Sequence, residues 1–315
     1  MNRGIAIRNK QSLIKQMENT EDDPFTSYLD GLAPSGRRSM RSQLIGVLKL
    51  MNYIDDPACF PWGNLKYAHI NKIRNIMLEN GKSANTINTT VAAINGVLRT
   101  AFNMGLMSAD EYMRIKFVKR VNSQRLPVGR ELKQSEIRKM LACCKRDNNV
   151  LGVRDAAIIA LMASTGLRRS EVVNLNIKDC DIKNKILTVK KGKGDRERNA
   201  FIVTPAQKLL LKWMKIRGYV QGVMFTRIAS EKPTDNKLSN QSIYNIIITR
   251  SRQAGIDKCT PHDLRRTLVT RLLDAGVDLN IVRQIVGHQD VNTTARYDRR
   301  NDEFKSVVYN KLIVF

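Results

Sequence analysis

One break in this chain limits its possible folds more than any other feature. Residues 119–131 carry Arg120, Arg125, Pro127, Gly129 and Arg130 without a sustained apolar period, so neither a helix nor a strand is expected to run through them. A chain of 315 residues divided there leaves two segments, each long enough to bury a core of its own. The first reads as helical throughout. Pro34, Ser35 and Gly36 punctuate a helix start, and residues 37–51 place Met40, Leu44, Val47 and Leu48 at helical spacing. A loop with Asp55, Asp56, Pro57, Pro61 and Gly63 precedes helices over 67–79 and 84–104, with Ser83 as N-cap and Gly105 as stop of the second. Residues 1–24 are polar and are expected to form a poorly ordered N-terminal extension, which leaves 25–118 as an all-helical domain.

The second segment is mixed. Helical patterns cover 134–144, 151–164, 169–175, 205–217, 240–254, 262–275, 279–286 and 293–297. Residues 186–189 and 199–203 flank a glycine-containing turn and predict a β-hairpin. The expected fold is therefore mainly α with a small antiparallel β-sheet. The longest apolar run, 156–163, is too short to cross a bilayer, and no apolar run follows the basic N-terminus in the manner of a signal peptide. No membrane partner is expected. The five cysteines are odd in number and contain no C-x-x-C, which argues against a disulfide framework or a zinc site. A reduced, cytoplasmic location follows, and Cys143 and Cys144 read as packing residues.

Charge points to a partner. Lys and Arg number 54 against 29 Asp and Glu, a net charge of +25. Residues 1–130 carry +9 and residues 131–315 carry +16, so a duplex gripped from two sides fits better than one basic tail. The basic linker suits a chain that crosses a phosphate backbone.

Cutting a phosphodiester requires a nucleophile, cations on the non-bridging oxygens and a proton for the leaving alkoxide. Of the three histidines, His262 and His288 lie beside arginine-rich helical segments, while His69 lies in the first domain and reads as structural or superficial. His262 and Arg265 are i and i+3 on a helix and share a face, as do Arg168 and Glu171, so the carboxylate can orient the guanidinium. Arg266 points elsewhere and reads as a backbone or surface contact. Two converging guanidiniums offer forked donors to one phosphate. There is no acidic cluster for a metal and no P-loop, so no cofactor is expected, and arginines would take the place of a metal.

Five pieces then resemble the tyrosine recombinase (phage integrase-like) family in order and spacing: T-G-L-R-R-S-E at 165–171, G-K-G-D-R-E-R at 192–198, H-D-L-R-R-T at 262–267, V-G-H at 286–288 and T-T-A-R-Y at 293–297. The resemblance is firm over 131–298. It is looser over 25–118, through S-A-N-T-I-N at 83–88 and A-F-N-M-G-L at 101–106. It implies a two-domain clamp on DNA, with a helical core-binding domain and a mixed α/β catalytic domain over 132–297. By this resemblance Arg168 and Arg265 clamp the phosphate, Glu171 supports Arg168, and Lys193 protonates the 5′-oxygen. His262 assists proton transfer, His288 contacts the phosphate, and Tyr297 is the nucleophile of a covalent 3′-phosphotyrosyl bond. Lys190 and Lys191 are the nearest competitors of Lys193 for its role, and Tyr309 stands outside the motif spacing. Val286 replaces the commoner leucine, and Arg299 stands where a histidine often follows the tyrosine.

The function this implies is site-specific recombination: integration, excision, inversion or resolution of a mobile element or replicon. The DNA site decides which. A type IB topoisomerase and a DNA-binding accessory protein are the alternatives. Arg37, Arg38, Arg41, Asn85, Asn88 and Arg99 are candidates for DNA contact in the first domain. The partner is double-stranded DNA with paired sites, bound by a tetramer in a nucleoid-associated location. Residues 298–315 form a charged spacer with an apolar end, a tail expected either to dock on a neighbouring protomer, as the resemblance also implies, or to fold back on its own domain.

Overall fold

The computed structural model describes residues 23–122, 129–190 and 197–287. The chain divides into two compact units, Met1–Arg125 and Leu126–Phe315.

The first unit is helical. Helix α1, Pro24–Asp30, starts where the Asp23 carboxylate accepts from the Thr26 amide at 2.8 Å and Pro24 presets the first turn. The sequence reading has no helix here. Phe25 and Leu29 are nonetheless buried, so packed structure begins well before Pro34. Helices α2 (Pro34–Leu50), α3 (Tyr67–Glu79) and α4 (Ala84–Asn103) follow as expected, and the Ser83 hydroxyl caps α4 by accepting from the Thr86 amide. A further short helix, α5 (Ala109–Ile115), is capped by Ser108 and carries Asp110 and Glu111 in its first turn. Leu44, Val47 and Leu48 meet Ile70 and Ile73 and the Ile87, Ile94, Val97 and Leu98 stripe of α4 in one core. Trp62 stands between Phe25 and Phe60, with ring centroids at 6.0 and 4.8 Å, and its indole donates to the Pro57 carbonyl.

The second unit contains α6 (Gln134–Arg146), α7 (Val150–Thr165), α8 (Arg169–Asn174), α9 (Thr204–Arg217), α10 (Asn240–Gln253), α11 (Pro261–Asp274) and α12 (Leu279–Val286). Strands β1 (Cys180–Asp181), β2 (Ile186–Val189) and β3 (Arg198–Phe201) form an antiparallel sheet with Leu187 opposite Ala200 and Val189 opposite Arg198. The expectation of one sheet is corrected by a second hairpin, β4 (Thr226–Ala229) with β5 (Lys232–Lys237). Its turn residues, Ser230 and Glu231, hold φ of 46° and 57° without a glycine or asparagine to advertise them.

Helix α7 is the centre of this unit and packs against α6, α9 and α11. Its apolar run is largely buried, but so are Arg154 and Asp155 directly before it. Asp155 accepts from Arg154 at 2.8 Å and from Arg250 of α10 at 2.9 Å, and Arg250 also pairs with Asp147. Every member therefore has an opposite charge. Burial pushes the Cys144, Cys180 and Cys259 thiols up to about 12, in keeping with packing roles for these cysteines. Among the described residues, no helix is long and apolar enough to cross a membrane.

Candidate active site

Three helix ends of the second unit build the site. Helix α7 stops at Gly166, whose φ of 64° suits a residue without a Cβ; an added Cβ would lie 3.0 Å from Leu268. The turn this allows brings Arg168 to the N-cap of α8. Arg168 is thus an extended residue at the helix mouth, just ahead of the start at 169 that the sequence predicts, and its amide donates to Glu171 Oε2 at 2.7 Å. Helix α11 begins at Pro261, where Thr260 and Asp263 cap each other reciprocally. Asp263 also accepts from the Arg130 amide at 3.0 Å, which pins the start of the unit beneath the cap. His262 and Arg265 then fall in the first turns of α11 and face one cleft.

The third end, the C-terminus of α12, gathers arginines. Gly287, with φ of 68°, ends this helix in the left-handed conformation. The last carbonyls of a helix have no partner within it and carry its partial negative charge. Here three successive ones receive guanidiniums. Ile285 accepts from Arg198 at 3.0 Å, Val286 from Arg265 at 2.6 Å and Gly287 from Arg168 at 2.8 Å. Arg265 donates with its other terminal nitrogen to the Gly166 carbonyl at 2.6 Å, and so bridges the ends of α7 and α12. Arg168 also meets Glu171 Oε1 at 3.0 Å, while Glu171 Oε2 receives Arg198 at 3.0 Å.

The result is an open cleft of about 440 Å³ lined by Leu167, Arg168, Arg169, Ser170, Asn240, Pro261, His262 and Arg265. The Arg168 side chain is 40% exposed while its Glu171 partner is 7% exposed, so a fixed cation is presented over a buried anion. A guanidinium has five N–H donors, and Arg168 places two of them on Glu171 and Gly287. The surroundings that shield His262, and then the charges of Arg265 and Arg266, hold its imidazole below the ordinary histidine value, against the pull of Asp263. A neutral imidazole at pH 7 can accept a proton. The chemistry open to this cleft is the binding of an anionic, tetrahedral group with a base beside it.

The structure thus brings Arg168, Glu171, His262 and Arg265 together. Lys193, His288 and Tyr297 lie outside the described residues, as do Lys191, Tyr309 and the tail. Lys190, one competitor of Lys193, is engaged with Asp179 at 2.6 Å, a contact that raises its pKa. Burial pushes the Asp179 carboxyl up, but the bonds from Lys190 and Asn176 outweigh it and hold it low. Arg266 makes the backbone contact expected of it, to the Gly129 carbonyl at 2.5 Å, but it is buried and not superficial. Sequence reasoning missed Arg198, Asn240, Ser170 and Arg169; the last lies over the Tyr244 ring at 5.5 Å. Among the described residues, no group of three or more His, Cys, Asp and Glu could hold a metal ion.

The six candidates for DNA contact lie in the first unit. Arg38, Arg41, Asn85 and Arg99 are exposed. Arg37 is exposed but tied to α1 through the Leu29 and Asp30 carbonyls and the Asp30 carboxylate. Asn88 is half-buried, and its amide both donates to and accepts from the Val121 backbone at 2.9 Å, which fastens the chain after α5.

A mainly helical protein with buttressed arginines in an open cleft defines an anion-binding class, and comparison with known proteins narrows it. The model of the phage integrase family matches residues 130–303. The chain is 31% identical over 219 residues to tyrosine recombinase XerA of Pyrococcus furiosus, covering 70% of this chain and 71% of that protein. It is 31% identical over 239 residues to tyrosine recombinase XerD of Lacticaseibacillus casei, covering 73% and 77%. The fold is similar to that of the Tn1549 transposon integrase solved in complex with transposon right end DNA, at a TM-score of 0.69 and 18% identity, over 92% of this chain and 99% of that one. The chain belongs to the phage integrase family of tyrosine recombinases, DNA-binding enzymes that cleave and rejoin DNA strands in site-specific recombination.

Proposed function

We propose that the chain cuts one strand of its DNA site through Tyr297 and holds the broken end as a covalent 3′-phosphotyrosyl bond. A phenol ionises near ~10, so it attacks poorly unless neighbouring cations favour the phenolate. In this reading Arg168 and Arg265 bind the non-bridging oxygens of the scissile phosphate, and His288 joins them. The Tyr297 oxygen attacks phosphorus, the bond to the 5′-oxygen breaks, and Lys193 supplies the proton that the leaving alkoxide needs. His262 shuttles the phenolic proton. Attack by the 5′-hydroxyl of another strand reverses the sequence and releases Tyr297. The phosphotyrosine conserves the energy of the broken linkage, so no nucleotide cofactor is required.

The observation that carries this reading is the docking of Arg168 and Arg265 on adjacent carbonyls of Val286 and Gly287, immediately before His288. Such donors are fixed before substrate arrives, and fixed dipoles and charges stabilise a transition state without reorganising. Domains over 25–118 and 132–297 joined by 119–131 would grip the duplex, and a tetramer on paired sites would exchange strands for a mobile element or replicon. Tyr297→Phe tests the proposal. The variant should bind its DNA site with unchanged affinity and form no adduct on a suicide substrate that loses its 5′ fragment after cleavage. Adduct formation by the variant would refute the assignment.

A further inference from the structure

Arg198 closes the G-K-G-D-R-E-R segment but does not line the cleft. We infer that Arg198 is a positioning residue that sets the phosphate-binding arginines by locking the mouth of α8 to the end of α12. The inference rests on the reading of Arg168 and Arg265 as phosphate ligands.

The geometry is that of a strut. The Arg198 side chain is only 10% exposed. One terminal nitrogen reaches Glu171 Oε2 at 3.0 Å, on the helix that Arg168 caps. The other reaches the Ile285 carbonyl at 3.0 Å, beside the two carbonyls that hold Arg265 and Arg168. Glu171 in turn divides its carboxylate between the two guanidiniums, which would otherwise repel each other. Removal of the strut would release Glu171 on one side and the α12 terminus on the other, and both Arg168 contacts depend on those two places. Close fit at Gly287 supports the same assignment. A Cβ there would stand 2.5 Å from Arg198 Nε and 2.8 Å from Cδ, so the glycine makes room for this guanidinium as well as adopting its positive φ. Lysine could keep the charge but not the span, because its donors sit on one nitrogen and lack the rigid planar fork whose two ends reach the two elements.

A residue that acts through the phosphate ligands leaves a chemical signature that a merely structural residue does not. Single-turnover cleavage is measured on two suicide substrates, one with a normal scissile phosphodiester and one with a methylphosphonate there. The neutral methyl replaces a charged oxygen and lowers the demand on the guanidiniums. Arg198→Lys should slow the diester by about 10–100-fold, the scale of an ångström of misplacement. DNA affinity should be unchanged, and the deficit should shrink markedly on the methylphosphonate. Arg168→Ala is the control and should show the same selectivity. Combined with it, Arg198→Lys should cost little more than Arg168→Ala alone. Gly287→Ala presses on the strut from the other side and should reproduce the selectivity if Arg198→Lys does not fold. Equal deficits on both substrates for Arg198→Lys and Gly287→Ala, with Arg168→Ala selective, would overturn the inference and leave the parent reading intact. Equal deficits for Arg168→Ala itself would overturn the parent reading and the inference with it.

Discussion

Asp155 offers the sharpest test of what holds the second unit together. Its carboxylate is 7% exposed and lies between Arg154 and Arg250, whose side chains are 7% and 6% exposed. Asp155→Ala would leave Arg154 with the Thr226 carbonyl, and Arg250 with Asp147 and Gln253. Arg250 would then keep one partly exposed carboxylate and Arg154 would have none. Removing one member of a buried pair costs about 3–5 kcal/mol, because the charge left behind stays desolvated. For a unit of this size each kcal/mol moves the melting temperature by about 2–4 °C, so a fall of about 6–20 °C is expected. Calorimetry of the full chain reads it, and the fall should persist at high salt because the network is buried. A second substitution separates charge from packing. Arg154→Met in the Asp155→Ala background removes an unpaired cation and should restore stability. A fall below about 2 °C, or a double variant less stable than the single one, would refute the reasoning. The cleft depends on this network indirectly, since α7 carries the Gly166 carbonyl on which Arg265 rests.

Other expectations follow from the site. Lys193→Ala should slow cleavage about 10²–10⁴-fold, and a 5′-bridging sulfur, which leaves without a proton, should largely rescue it; equal defects on both substrates would remove Lys193 as the acid. His262 should titrate below the ordinary value of ~6.5 in an NMR titration of its ring protons. The unfolded chain then binds more protons in the window just below ~6.5, so this histidine makes stability fall as pH drops through it and has no effect above; a titration above ~6.5 would contradict the electrostatics of the cleft. Deletion of residues 312–315 should weaken cooperative binding to paired sites but leave single-site binding intact, and unfolding of the truncated chain would mean that the tail packs on its own unit.

The readable parts of this protein were those with local signals. The stripes of α2 and α4, the Ser83 cap and the glycine stop at Gly105 stand in the sequence because one face, one hydroxyl or one φ determines them. Helix α1 was missed although Asp23 and Pro24 are a cap and a first-turn proline, and α5 although Ser108 and Glu111 have capping-box spacing. Both helices are short, so their apolar period is too brief to register. The β4–β5 turn was missed because tertiary context imposes positive φ on Ser230 and Glu231. Within the site, i,i+3 spacing indicated the pairing of Arg168 with Glu171 but not that Arg168 is the cap. The Arg198 strut was invisible because its partners lie 27 and 87 residues away along the chain. Nor does an apolar run reveal that the Arg154 and Asp155 beside it are buried together.

Mapping the protein–DNA linkage shows whether Tyr297 carries the broken strand. Wild-type protein is trapped on a suicide substrate, digested with protease and nuclease, and the nucleotide-bearing peptide is sequenced by mass spectrometry. A nucleotide 3′-phosphate esterified to the Tyr297 oxygen is expected. A remnant on Tyr309, or on any serine, cysteine or histidine, would contradict it, as would linkage through a 5′-phosphate.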